Sequence, residues 1–244
     1  NPKFGVTWNP VPNTTIRAAA FRVLKRTLIT NQTLEPTQVA GFNQFFDDPE
    51  ATKAWRYGAA VDQRFARSVY AGAEYSLREL DVPFQDLSGI TPVLGNVDWK
   101  ERVGRAYLYW APHPWLALNS EYLYERFERE DKLAFGAREV TTHRIPVGAN
   151  FFHPSGLSAM FKATHIDQQG SFEPNNSIGT FTDGGDHFWL VDAAIGYRLP
   201  QRLGILSVGA KNLFDKSFQF FDTDPVNPAI QPARMFFARV TLSL

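Results

Sequence analysis

The sequence predicts an all-β protein, an antiparallel transmembrane β-barrel of meander topology with about eleven strands present, as part of a larger barrel. Three observations predict it: a hydrophobic period of two, strands longer than a soluble sheet uses, and connections that alternate short and long.

The period comes first. From Trp55 to Phe65, Trp55, Tyr57, Ala59, Val61 and Phe65 fall on one face, with Gln63 the exception, and Arg56, Gly58, Ala60, Asp62 and Arg64 fall on the other. Successive side chains of a strand point to opposite faces, so one side is apolar and the other polar. The device recurs at Val69–Leu77, Ile145–Phe151, Leu157–Ala163, Trp189–Leu199 and Phe236–Leu244. Strands are expected at about 3–9, 14–26, 55–66, 69–80, 98–111, 115–128, 139–152, 156–168, 186–199, 203–213 and 233–244. Most exceed the ~5–6 residues of an average soluble strand and reach the ~9–11 that a tilted strand needs to cross a bilayer.

Short turns are predicted at Pro10–Asn13, Ala66–Ser68, Pro112–Pro114, His153–Gly156 and Pro200–Arg202. Long loops are predicted at 27–54, 81–97, 129–138, 169–185 and 214–232. A meander with this alternation carries every long loop at one end, as outer-membrane barrels do. The tryptophans agree: Trp8, Trp110 and Trp115 flank short turns, while Trp55, Trp99 and Trp189 stand where strands leave long loops. An indole favours the headgroup zone, where its ring is half buried and its N–H stays wet, so these six are expected to form two girdles.

Composition narrows the class. The chain has 244 residues, read as one domain over 1–244, and balances 25 basic against 25 acidic residues, so nothing points to nucleic acid. It has no cysteine, which removes thiol chemistry and Cys-ligated metals. No apolar run approaches the ~18 residues of a membrane helix, whereas alternating strands escape hydropathy windows. The five histidines are scattered without zinc-site spacing, no serine stands beside a credible base, and neither an enzyme nor a cofactor is expected. Thr182–His187 carries carboxylates but lacks calcium-loop spacing, so a solvated turn is expected there.

The inward face is expected to carry Arg56, Asp62, Arg64, Glu74, Arg102, Arg144, Lys162, Asp192 and Arg239, along with Arg17, Arg78, Lys100, Glu121, Arg198 and Lys211. Such residues would line a polar conduit or a plug-binding wall; the competing reading is a solvated, mutually neutralising interior. Extracellular ligand contact is expected from Phe42, Asn43, Gln44, Phe45 and Asp47 in the longest loop and from Phe220 and Asp222 in the last, where aromatic rings alternate with amides and acids. The competing reading is that these rings pack each loop onto itself.

Near the end, Val208-Gly209-Ala210-Lys211-Asn212-Leu213-Phe214-Asp215, then Pro232-Ala233-Arg234 and a final alternating strand, resembles the closing segment of TonB-dependent receptor barrels. Asn1–Trp8 followed by Thr15–Ala19 is similar to that family's hairpin into a long loop, and Leu34-Glu35-Pro36 resembles its Leu-x-Pro element, with Thr37 where Glu is usual. The resemblance implies the C-terminal half of a barrel of about 22 strands with a plugged lumen. It also implies a place in the cell outer membrane of a Gram-negative bacterium and uptake of a scarce ligand such as a siderophore, sugar or other nutrient. Implied partners are the lipid bilayer and lipopolysaccharide, the N-terminal barrel half, a plug domain and TonB. The alternative is a porin or exporter barrel fused to periplasmic helical repeats, and the third class is a soluble all-β binding module. Eleven strands whose first and last both run toward the periplasm imply an odd number of strands elsewhere in the barrel.

Overall fold

A computed structural model describes residues 1–25, 38–43, 48–86, 91, 93–130, 136–173, 180–222 and 230–242. The strands are β1 (Lys3–Trp8), β2 (Thr14–Leu24), β3 (Gln38–Val39), β4 (Phe42–Asn43), β5 (Lys53–Ala66), β6 (Val69–Asp86), β7 (Val93–His113), β8 (Leu116–Arg129), β9 (Ala137–Phe152), β10 (Leu157–Phe172), β11 (Thr182–Arg198), β12 (Gly204–Lys211) and β13 (Met235–Leu242). Eleven of them form one antiparallel meander in the order β1-β2-β5-β6-β7-β8-β9-β10-β11-β12-β13. The sheet is not closed, and it matches a fragment of a barrel. β3 and β4 make a separate two-stranded hairpin inside the β2–β5 connection.

The short turns fall where the sequence places them. Asn13 adopts φ 66° in the first, a conformation asparagine tolerates better than most residues. Gly156 (φ 95°) closes another beneath the Arg198 carbonyl, where a Cβ has no room. At the opposite end the strands outrun the expectation. β6 continues to Asp86, β7 begins at Val93, β10 reaches Phe172 and β11 begins at Thr182. The expected loop 81–97 therefore shrinks to residues 87–92, and 169–185 to 173–181. Alternation disappears there because both faces are polar or loop-covered, although the backbone ladder continues: Leu80, Val82 and Val97 are buried on the polar face.

The register is interrupted locally. The β8–β9 pairing runs from Leu116–Phe151 to Ser120–Val147 and resumes at Leu123–Arg144; Pro146, which has no N–H to give, lies in the interval. Bulges between Arg64 and Ala66 and between Trp110 and His113 sit at the short-turn rim, where an extra residue adds twist.

Candidate functional site

Register decides which side chains share a face. Directly paired residues point the same way, so the row Asp62–Gly72–Tyr107–Glu121 crosses β5 to β8 on the polar side. The same parity puts Arg17, Arg56, Arg64, Glu74, Arg78 and Arg105 on that side, together with Arg144, Lys162, Asp192, Arg198, Lys211 and Arg239. Arg102 departs from the expectation. It pairs with Leu77 and Arg126 on the apolar side, and Lys100 lies beside Glu79 there. Arg102 binds Glu128 at 2.5 Å, near the long-connection end. In β7 the alternation is ambiguous around Lys100–Val103, and only Arg105–Tyr107–Tyr109 against Ala106–Leu108–Trp110 reveals the phase; that signal would have identified Arg105 and Tyr107 from the sequence.

On β2 to β8 the polar face is an ion-paired network. Arg17 Nε donates to Asp62 at 2.9 Å, its Nη2 reaches Glu74 at 3.3 Å, and its Nη1 donates to the Ala40 carbonyl at 3.2 Å. Tyr107 donates to the other Asp62 oxygen at 2.6 Å. Gly72 makes that contact possible, since a Cβ there would collide with the Tyr107 ring. Arg105 grips Glu121 through two bonds of 3.2 and 3.0 Å, the bidentate geometry that suits a guanidinium, and Tyr109 donates to the same carboxylate. Arg64 lies toward the rim, over the Tyr70 ring and bonded to the Ala66 carbonyl.

The β3–β4 hairpin folds onto this face. Phe42 is only 1% exposed and packs over Gly58, where a Cβ would strike its ring. Val39 joins the same cluster with Ala19, Phe21, Ala54 and Leu80. Arg56 donates to the Asn43 carbonyl at 2.6 Å and to Ser76 at 3.0 Å. Just beyond the hairpin, Asp48 receives two bonds from Arg78 (2.8 and 2.6 Å), and Arg78 also holds Glu101 at 2.5 Å. Phe42 is thus a packing residue rather than an exposed stacking surface: a ring among apolar neighbours gains more from burial than from facing water. Asn43 stays exposed, its side chain accepting from Gln38 at 2.7 Å. Gln44, Phe45 and Asp47 lie outside the described residues.

The last long connection folds onto the opposite end of the same face. Phe218 stacks on Phe188 with centroids 4.4 Å apart, and Phe218, Phe220 and Ile230 pack on Ile166, Phe188 and Leu190. Gln168 clasps the loop backbone, accepting the Phe221 N–H at 2.7 Å and donating to its carbonyl at 3.1 Å. Asp186 accepts the Gln219 N–H at 2.8 Å. Phe220 and Asp222 are half-buried, so Phe220 also packs on the wall. The Asn212-Leu213-Phe214-Asp215 motif starts this connection as a tight turn. Asn212 is 2% exposed at φ 46°, bonds Lys216 through both side-chain atoms, and gives its own N–H to Asp192 at 2.9 Å. Asp215, at φ 55°, accepts the Arg234 N–H at 3.0 Å.

The other face is apolar and uncovered: Phe4, Val6, Val61, Val147, Phe161, Ile195, Val208 and Val240 are all exposed on it. Trp8, Trp110 and Trp189 are exposed on this side as well. Trp55 stacks on Tyr57 and Trp115 meets Phe151 edge-on. Trp99 breaks the girdle pattern. It faces the polar side beside Leu80, packs against the buried cluster and lies 4.2 Å below the Arg129 guanidinium. The strand continues past the apolar stripe, so a tryptophan near that end has an alternative apolar site in the cluster on the polar face.

The fold defines a class before any relative does: a long-stranded antiparallel meander with an apolar and an ionic face is a piece of barrel wall. No protein-family model matches the chain, and no curated protein matches it in sequence. Among solved structures it is similar to Pseudomonas aeruginosa FpvA bound to a heterologous pyoverdine–iron complex, with a TM-score of 0.63 and 12% identity over 99% of this chain. It is also similar to the FpvAI–pyocin S2 complex, with a TM-score of 0.64 and 12% identity over 99% of the chain. The chain spans about a third of those structures' length, 32% in each. At this identity the likeness is one of fold, and that fold is TonB-dependent-receptor-like.

Proposed function

We propose that the chain is a wall segment of an outer-membrane transport barrel of the TonB-dependent receptor kind, in a Gram-negative bacterium, and that the whole protein takes up a scarce ligand such as a siderophore, sugar or other nutrient. One observation carries the reading: on a receptor-like meander, one face exposes an apolar stripe, interrupted on β5 only by Gln63 between Trp55 and Phe65, while the charges near the short turns gather on the other. From Trp55 to Phe65 the stripe spans ~24 Å at ~3.4 Å per residue and a tilt of ~45°, close to the ~25 Å apolar band of such barrels. In water that stripe is a liability; against hydrocarbon it is the stable surface.

The open edges fit the same reading. β1 and β13 run in the same direction, because an antiparallel meander of eleven strands ends as it begins. Lipid leaves no strand edge unpaired, so closure takes further strands, an odd number of them if every pairing is antiparallel. A plug domain and TonB are the partners this barrel class uses. Loop residues Asn43, Gln44, Phe45, Asp47 and Asp222 remain the candidates for ligand contact, while Phe42 and Phe220 pack on the wall.

Two measurements test this. The full-length protein should fractionate with outer membranes and, folded in detergent, migrate faster on gels when unheated than when boiled. Uptake of its ligand, sought among iron chelates and oligosaccharides, should stop when TonB is deleted. A protein that stays monomeric and folded without detergent would end the proposal.

A further inference from the structure

The polar face is not uniform, and the zero net charge of the chain conceals this. Toward the short turns, β2 to β8 match Arg17 and Arg105 with Asp62, Glu74 and Glu121 at bonding distance. Across β9 to β13 the same face carries Arg144, Lys162, Arg198, Lys211 and Arg239. Among the described residues none of these five forms an ion pair. Asp192 is the carboxylate that pairs in register with Lys162, and one of its oxygens already accepts the Asn212 N–H. Four of the five cations are exposed; Arg144 is half-buried.

The wall between them mixes small and apolar residues. Gly148 lies beside Lys162, and Gly196 and Ser207 lie in the row of Arg239. Met160 and Phe237 stand in the row between, Phe237 with its ring over Gly209, so the cationic heads line a partly apolar floor within reach of a solute that approaches the wall. Among the described residues, the covering loops pack elsewhere. The last connection packs higher, on Ile166, Phe188 and Leu190, and the β3–β4 hairpin packs on β2 and β5. Several unpaired cations along a low-dielectric wall sum their fields and concentrate anions.

We propose that β9 to β13 form an anion-collecting strip on the lumenal wall, suited to a solute carrying several carboxylates, sulfonates or phosphates. The inference rests on the barrel reading, which makes this face lumenal. The cations are spread over adjacent strands instead of converging on one point. They therefore fit a multiply charged solute better than a single small ion.

The experiment uses the full-length protein folded in detergent, with the trisulfonated dye pyranine as probe, followed by fluorescence anisotropy. The wild-type protein should bind saturably at low salt and release the dye as salt rises. The variant Lys162→Gln/Arg198→Gln/Arg239→Gln should bind ~10-fold more weakly, the size of effect that field focusing produces. The charge-preserving variant Lys162→Arg/Arg198→Lys/Arg239→Lys should bind like the wild type, and Arg102→Gln, on the apolar face, should leave binding unchanged. Equal binding by wild type and the glutamine variant overturns the proposal. So does a wild-type barrel that binds no dye, including one whose wall an acidic plug segment of the same polypeptide already covers. Heat-modifiable migration separates the two levels: a barrel that migrates as folded but binds nothing defeats the strip alone, whereas a protein that needs no detergent defeats the barrel reading.

Discussion

The two loops that fold onto opposite ends of the polar face are held there by different physics. The β3–β4 hairpin and its continuation to Asp48 are held by guanidinium groups: Arg17 on Ala40, Arg56 on Asn43, and Arg78 on Asp48. The last connection is held largely by uncharged groups, with Gln168 bonded to both backbone atoms of Phe221 and Phe218 stacked on Phe188, beside the bond from the Gln219 N–H to Asp186. The first arrangement is costly to disturb, because a buried charge that loses its partner must be desolvated alone. The second loses only ordinary hydrogen bonds and packing when one member is removed. Beneath the loops the contrast continues, with paired ions under the first and unpaired cations under the second.

The largest effect should come from Arg78→Met. Asp48 and Glu101 would each lose a guanidinium partner, and Asp48 is only 6% exposed. A loss of ~3–5 kcal/mol is expected in urea unfolding of the detergent-folded protein, the cost of breaking a buried pair from one side. A loss under 1 kcal/mol would mean that the first loop is not charge-anchored, on a scale where ~1 kcal/mol is typical of a single neutral bond. Phe42→Ala comes next, at ~3–4 kcal/mol for a fully buried ring, and should make residues 38–43 sensitive to limited proteolysis. Asn212→Ala should follow at ~1–3 kcal/mol, since it removes two side-chain bonds and leaves a left-handed residue without its local support. Gln168→Leu should cost ~1–2 kcal/mol and raise hydrogen exchange at Phe221. Phe218→Leu is the mildest, at ~0.5–1.5 kcal/mol from the lost ring stacking. If Gln168→Leu proved as damaging as Arg78→Met, the contrast between the loops would disappear.

Much of the fold was legible before any coordinates. The eleven sheet strands, their order as a meander and their short turns follow from alternation and from Pro, Asn and Gly punctuation, because those signals are local. The faces of β2, β5, β6, β9, β10, β11 and β13 followed too, since one side of each is plainly apolar. β7 misled at Lys100 and Arg102, where the strand has left the apolar band and both faces carry charge. Trp99 misled for the same reason: closeness to a strand end does not say which side an indole takes.

What the sequence by itself determined is the pleat, the strand lengths near the turns and a chain whose charges alternate with its apolar side chains. The tertiary structure decided which charges meet and where the long loops go. Tyr107 reaches Asp62 only because Gly72 lies between them in the sheet, and Phe42 is buried only because Gly58 sits opposite a loop some fifteen residues upstream. Periodicity is written in neighbours along one strand. Ion pairing and loop docking depend on register across strands, so they become visible only when the sheet is assembled.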